Sequence, residues 1–295
     1  MNNSNGNNNW TIENIPNLSG KVSIVTGANC GIGFETAKEF TRKCAHTILA
    51  CRSLEKGEAA LAEIKNEIPN ASAEVIQLDL SSLASVHQFA ADFKAKYNRL
   101  DILVNNAAVM YVPYGKTEDG FERHFGTNHL GHFALTGLLI DLLLKTPDAR
   151  VVTVSSVGHR SGEMDFDDLM FKGGREYRGQ RVYGRSKLAN LLFTYEMQRR
   201  IEAMDANIKA VAAHPGGSNT NLARHVEDHQ KAISKNVKNL LEREESAGFC
   251  TMDHHLSFSS SVMETKREIL QFLIDAKRQD KSIVGYGAPA KGNTL

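Results

Sequence analysis

The sequence has little of what marks secreted, membrane-embedded or nucleic-acid-binding chains. Its 295 residues contain four cysteines, Cys30, Cys44, Cys51 and Cys250, with no C-x-x-C pair and no even spacing. That pattern excludes a disulfide scaffold and reads as reduced thiols of a cytosolic-type protein. Lys plus Arg number 35 and Asp plus Glu 34, a formal charge of +1. No basic footprint for nucleic acid or for an acidic membrane results. No apolar run approaches the ~18 residues that span a bilayer. The opening residues, MNNSNGNNNW, lack the apolar core of a signal peptide. The N-x-S/T triplets at Asn2, Asn9, Asn17 and Asn70 then read as chance matches, and a cytoplasmic location is expected. Apolar residues make up 41% of the chain, normal for a soluble core.

What is present starts at Lys21. The β-branched run Val22 to Val25 leads into Thr26-Gly27-Ala28-Asn29-Cys30-Gly31-Ile32-Gly33. An amphipathic segment follows, with Phe34, Ala37, Phe40 and Thr41 on one side. Strand, glycine turn and helix start form the arrangement that seats a dinucleotide pyrophosphate. Gly27 permits the tight turn, Gly31 lets backbone approach the phosphates, and Gly33 lets helix pack on strand. The helix start offers unpaired N–H groups and a positive dipole end. The spacing is G-x3-G-x-G, and the triplet alone also fits a plain structural turn.

The rest of the chain alternates short β-branched runs with helical-period segments. Residues 1 to about 19 are an Asn-rich leader, expected to be disordered. Further strands are expected at His46–Cys51, Glu74–Leu78, Asp101–Val104, Arg150–Val154 and Ile208–Ala213. Helices are expected at Leu54–Ile68, from a Ser81 or Ser82 cap to Tyr97, over Thr117–Leu144 and over Val182–Met204. A Gly- and charge-rich loop covers Val157–Arg181. Six β-then-α units argue an α/β fold, a doubly wound parallel sheet flanked by helices. Ligands of such sheets bind beyond the carboxyl ends of the strands, where every suggestive cluster of this chain falls.

Tyr183 and Lys187 lie four residues apart on one helix face. A neighbouring ammonium lowers a phenol from its usual ~10, which makes Tyr183 a general acid toward a carbonyl or a base toward an alcohol. Lys187 can also hold ribose hydroxyls. Ser156, ending the fifth strand, can donate to a substrate oxygen. Asn128 can hold a water that links Lys187 to solvent. A carboxylate ending the second strand would hold the 2′-hydroxyl of NAD, but Arg52 stands there and can pair a 2′-phosphate. NADP(H) is therefore expected over NAD(H), the alternative being that Arg52 is a solvated residue at a helix start. His124, His129 and His132 lack the cysteines or carboxylates that would complete a zinc set, so no metal site is expected.

Together these residues resemble the short-chain dehydrogenase/reductase superfamily and its Rossmann-like sheet. The matching motifs are T-G-x3-G-I-G (Thr26–Gly33), Asp79-Leu80, N-N-A-A (Asn105–Ala108), Asn128, Ser155-Ser156, Y-x-x-S-K (Tyr183–Lys187) and H-P-G (His214–Gly216). The runs L-A-C-R (Leu49–Arg52), N-H-L-G-H-F (Asn128–Phe133) and Y-x-x-S-K-L-A-N-x-L-F (Tyr183–Phe193) resemble the retinol-dehydrogenase-like branch. The resemblance implies Asn128, Ser156, Tyr183 and Lys187 as a catalytic tetrad, with Ser156 preferred to Ser155. It implies that Asp79 meets the adenine and that Asn105 to Ala107 line the cofactor channel. It extends cofactor contact to Gly27, Asn29, Gly31, Ile32, Gly33, Leu80, Asn106, Ala107, Pro215 and Gly216. A small, apolar alcohol or carbonyl substrate and a homodimer belong to the same expectation.

The resemblance covers about residues 20–224. From about His225 the chain resembles instead a truncated C-terminal domain of sugar C-methyltransferases. The residues that carry this are V-G-Y-G-A-P-A-K-G-N-T-L (Val284–Leu295) and the preceding A-K-R-x-x-K-S-I-V (Ala276–Val284). Helices over Ala232–Glu245 and Ser260–Arg278 and a strand at Ile283-Val284 are expected there. With no methyl-donor domain, methyl transfer is not expected. Two functions stand against an active reductase: a fusion that binds nucleotide without efficient turnover, and a nucleotide-sugar-binding remnant centred on Gly285 to Leu295.

Overall fold

The strands of the first unit form one six-stranded sheet, every pairing parallel. In the computed structural model, which describes residues 11–172, 177–216 and 222, these are β1 Val22–Thr26, β2 His46–Cys51, β3 Ala73–Gln77, β4 Ile102–Asn105, β5 Ala149–Val154 and β6 Ile208–Ala213. Their order is β3-β2-β1-β4-β5-β6. The chain therefore leaves β1 toward one edge and returns to β4 on its other side, which opens a crevice at the carboxyl ends of those two strands. The chain divides between His225 and Val226 into two units, and the second lies outside the described residues. The helices and strand expected in the tail fall there.

Alternation within the strands builds two cores. Ile24, Ile48 and Leu103 face α3 (Leu83–Lys96), α5 (Gly131–Lys145) and α6 (Gly179–Ala203), among Phe89, Phe93, Leu135, Leu139 and Ile201. Their neighbours Val25, Leu49 and Val104 face the other way, toward α1 (Gly31–Arg42) and α2 (Leu54–Glu67), with Phe34, Ala37, Leu61 and Ile64. Both faces of β1 are thus covered, which is why the consecutive Ile24 and Val25, facing opposite ways, are both apolar and fully buried. Each buried Phe or Leu contributes about 1.5–3 kcal/mol. Ser53 caps α2, and Ser82 rather than Ser81 caps α3.

Three local expectations are corrected. The helix expected from Thr117 starts at Arg123, because Glu122 is its N-cap and accepts from the His124 and Phe125 N–H groups. Before it, the Thr117 N–H donates to the Phe121 carbonyl and Gly120 has φ +83°, which bends the chain out of helix. The helix then runs as α4 (Arg123–Phe125), a π-turn (Gly126–Leu130) and α5. Within residues 11–19 the expected disorder gives way to a 3-10 turn, Ile12–Asn14, and to Leu18, which is buried and whose N–H donates to the Lys43 carbonyl at 2.7 Å. A 3-10 turn, Val157–Ser161, interrupts the expected loop.

Asp101 fastens the opposite end of the sheet. Its buried carboxylate meets Lys21 Nζ at 3.0 Å, Arg99 at 2.7 and 2.8 Å, and the Val22 N–H at 2.9 Å. Burial pushes its pKa up, but the bonds from Arg99, Val22 and Lys21 outweigh that and hold it below the usual carboxylate range. This stabilisation is present above the ordinary value near ~3.9 and is lost as pH falls through the lower folded value. Asp101→Asn should cost about 2 kcal/mol at pH 7 in urea unfolding. The gap to the wild type should close below about pH 4.

Candidate active site

The crevice begins at Thr26, the last residue of β1. Its hydroxyl oxygen accepts from the Asn106 and Ala107 N–H groups, both at 2.9 Å, and its carbonyl accepts from Asn106 Nδ2 at 2.7 Å. The glycine turn and the turn after β4 are therefore pressed together. A Cβ at Gly27, whose φ is +68°, would stand 3.0 Å from the Ala107 methyl. One at Gly33 would stand 2.5 Å from both Asn106 Nδ2 and the Gly27 carbonyl. Asn29, Gly31 and Ile32 complete the turn into α1. The cap residue, Cys30, makes no side-chain bond to that helix start. The glycines and the uncapped helix start fit a pyrophosphate.

The other expected cofactor contacts lie around this crevice with differing engagements. Arg52 is exposed directly after β2, and its carbonyl accepts from Gln77 Nε2. Asp79 folds back on its own turn, its Oδ1 accepting from the Ser81 N–H at 2.9 Å and the Ser81 hydroxyl at 2.6 Å. Leu80 is buried, its carbonyl against Gly131, where a Cβ would come within 2.4 Å. Pro215 and Gly216 follow β6 and are exposed.

Beyond the end of β5 the two serines separate. Ser155 is buried and donates to the Lys187 carbonyl at 2.9 Å. Ser156 hydrogen-bonds the Tyr183 hydroxyl, and its oxygen also accepts from the Gly158 N–H. Gly158 is the floor under both, since a Cβ there would meet Tyr183 Cε1 at 3.3 Å and Ser156 Oγ at 3.4 Å. Tyr183 is 5% exposed and Lys187 2%. Lys187 Nζ donates to the Val154 carbonyl at 2.9 Å and lies 5.7 Å from the centre of the Tyr183 ring.

The electrostatics correct one expectation. Lys187 does not lower Tyr183, because its ammonium is turned to the Val154 carbonyl. Burial raises the Tyr183 pKa, the Ser156 bond works against this, and Tyr111 adds to the rise. Burial pushes Lys187 itself down to about 8. A buried cation without an anionic partner is costly. It fits a position where ligand hydroxyls complete its hydrogen bonds.

Asn128, in the π-turn, is fully buried, and protein groups engage both ends of its amide. Its Oδ1 accepts from the Val109 N–H at 2.8 Å, and its Nδ2 donates to the Val109 carbonyl at 2.9 Å and to Ser186 Oγ at 3.0 Å. Ser186 passes this on to the Tyr183 carbonyl at 2.7 Å. Single π-turns inside helices recur at functional sites.

Two neighbours of the site escaped sequence reasoning. Arg185 is buried, and its guanidinium donates to the carbonyls of Glu163, Asp168 and Leu169 and lies over the Phe171 ring at 4.1 Å. It fastens the loop after Ser156 to the helix that carries Tyr183. Its place inside Y-x-x-S-K was the only signal. Tyr111 packs edge-on against Tyr183, centroids 5.8 Å apart, with φ +55°. A bulky residue in that region is strained, and such strain gathers at sites; nothing in the sequence marks it. Among the described residues no cluster of three or more metal-ligating side chains exists. No described helix is long and apolar enough to cross a membrane.

A tight glycine turn after β1, the serines that follow β5 and the buried Tyr183 and Lys187 of α6 thus lie at one end of the sheet. Residues 21–168 match the family model of the short chain dehydrogenases, and the chain belongs to that family. It is 46% identical over 217 residues to human retinol dehydrogenase 13, a match that covers 74% of this chain. The chain spans 65% of that relative's length. A crystal structure of a Mycobacterium paratuberculosis protein superposes with TM-score 0.64 at 46% identity, covering 73% of this chain and 75% of that one. A short chain dehydrogenase of Shigella flexneri, complexed with NADP, superposes with TM-score 0.56 at 25% identity, covering 70% and 82%. Residues 213–295 match the C-methyltransferase C-terminal domain, a match that begins at the last residue of β6.

The cost of burying Lys187 yields a test. Below pH 8 the amine is charged in the folded and unfolded chain alike, and its burial opposes folding. Between about 8 and 10.5 the unfolded chain holds the proton that the folded one has lost, so stability rises with pH. Lys187→Met should therefore raise the urea midpoint at pH 7, and its lead over the wild type should shrink as pH climbs from 8 to 10.5.

Proposed function

We propose that the chain is an NADP(H)-dependent oxidoreductase that interconverts an alcohol and a carbonyl on a small apolar substrate. The observation that carries this is the convergence of Tyr183, Ser156 and the buried Lys187 beside the glycine turn. A bound nicotinamide supplies or accepts the hydride. Tyr183 holds the proton: with its pKa raised it is a phenol at neutral pH, the form that protonates a carbonyl oxygen during reduction. Ser156 donates to the same oxygen and orients it. Lys187 holds ribose hydroxyls from beneath the tyrosine ring. Asn128 acts through backbone, keeping the Val109 segment after β4 and the Tyr183 helix in register. The names of the relatives and the Tyr111 ring against Tyr183 support an apolar substrate. Arg52 supports the 2′-phosphate, and the Shigella flexneri relative was solved with NADP. Exposed Phe133, Leu192 and Tyr195 on α5 and α6 support pairing of two copies through those helices.

A second reading has its own observation. The match of residues 213–295 to a methyltransferase domain supports a fusion that binds nucleotide without efficient turnover. NADPH oxidation over a panel of aldehydes and ketones separates the two. The first reading requires turnover that falls at least about 100-fold in Tyr183→Phe while NADPH binding persists. An inert wild type that still binds NADPH establishes the second. For the cofactor, Arg52→Ala should weaken NADPH binding about tenfold or more and leave NADH unchanged, a loss of about 1.4 kcal/mol. Tighter binding of NADH than NADPH by the wild type overturns the assignment.

A further inference from the structure

His132 is 2% exposed and touches neither Tyr183 nor Lys187 through a hydrogen bond, yet its two ring nitrogens join the two halves of the site. Nδ1 lies 3.0 Å from the Asn128 carbonyl, and Nε2 lies 2.9 Å from the Thr26 hydroxyl. A carbonyl can only accept, so Nδ1 carries the hydrogen. Nε2 is then a bare acceptor, and the Thr26 hydroxyl donates to it. Thr26 has one hydrogen and two acceptors in reach, Nε2 at 2.9 Å and the Val104 carbonyl at 3.3 Å, and the shorter contact is the ring. The Thr26 oxygen meanwhile accepts from the Asn106 and Ala107 N–H groups. Every donor in this chain therefore points one way: from the turn after β4, through Thr26 and His132, to Asn128.

The far end of the chain is where the helix changes register. In the π-turn the Gly131 N–H reaches back to the Gly126 carbonyl, five residues away instead of four. The imidazole supplies a donor to the Asn128 carbonyl inside that turn, while the Asn128 amide holds Val109 and, through Ser186, the Tyr183 carbonyl. We propose that His132 is a positioning residue that couples the dinucleotide turn at Thr26, Asn106 and Ala107 to the Asn128 clamp behind Tyr183, acting as a neutral Nδ1–H ring. Burial keeps the ring uncharged, pushing it down to about 3, with the Asn128 bond opposing this and Lys187 and His129 adding to it. A charged ring would carry hydrogen on both nitrogens and force Thr26 to give up its donation. The coupling thus holds across the physiological range without titrating.

The proposal rests on the NADP(H)-dependent oxidoreductase reading for its binding and kinetic arms, and its third arm, the tautomer, is free of that reading. Nitrogen-15 NMR of labelled histidine should show His132 as the neutral Nδ1–H tautomer from pH 5 to 8; an Nε2–H tautomer or a charged ring in that range overturns the proposal. Full-chain variants then separate the two bonds. Asn at 132 keeps an amide donor at the Nδ1 position and loses the acceptor for Thr26; Leu loses both. His132→Leu and His132→Asn should weaken NADPH binding alike, about fivefold by fluorescence titration. His132→Leu should lower kcat at least tenfold, and His132→Asn should recover at least fivefold over it. Parallel losses of kcat with no recovery by asparagine, or NADPH affinity unchanged in both variants, overturn it. If His132→Leu does not fold, the tautomer and the asparagine variant's NADPH affinity decide. If the wild type shows no turnover or binds no NADPH, the proposed function fails while the tautomer still decides this one.

Discussion

The site depends on one hydroxyl. Where the sheet reverses its winding, the ladder between β1 and β4 ends at Val25 and Val104, and the backbone N–H groups of the turn after β4 lie beyond it. Thr26 Oγ1 accepts from two of them and so draws the glycine turn against Asn106 and Ala107. The close approach at Gly27 and Gly33 follows from that contact, since any Cβ at Gly33 would collide with Asn106. A buried hydroxyl with its bonds filled adds specificity as well as energy, because an unpaired N–H there would cost about 1–3 kcal/mol. The crevice is thus defined by hydrogen-bond satisfaction before any ligand is considered.

Beside it stands a region that works against stability. Lys187 is buried with a carbonyl as its partner, Tyr183 is buried with a serine, and Tyr111 holds a strained backbone beside them. None of these would be chosen for packing. They are tolerated because two well-filled cores flank the sheet and because Asp101, Lys21 and Arg99 fasten its other end. Sites of this kind draw on stability supplied elsewhere in the fold.

The strands were legible because their alternation and apolar content are local properties. β2 and β6 fall on the expected residues, and the other four differ by a single residue at one or both ends. The six-unit sheet followed from counting them. The onset of the central helix was not legible: Thr117 to Phe121 reads as helix until Glu122 is seen accepting two backbone N–H groups. The serine pair shows the same limit, since only three dimensions reveal that Ser155 faces backbone and Ser156 faces Tyr183. The sign of the Tyr183 shift is hidden from the sequence for a related reason. Spacing put the lysine on the right face, but burial and the Val154 carbonyl, neither visible in the motif, decide where its charge acts. Arg185 and His132 sit inside recognisable motifs, yet the Arg185 carbonyl partners and the Thr26 hydroxyl beside His132 lie outside them.

The Asn128 clamp on Val109 has a consequence for how this chain can vary. The amide bonds both the N–H and the carbonyl of one residue, as a neighbouring strand would, so it recognises main chain and is indifferent to the side chain carried there. Mutational drift at positions 109–111 can therefore reshape the wall beside Tyr183 while the frame behind it stays fixed. Diversification of what the site accepts is separated from preservation of the frame, and a single side-chain amide draws the line between them.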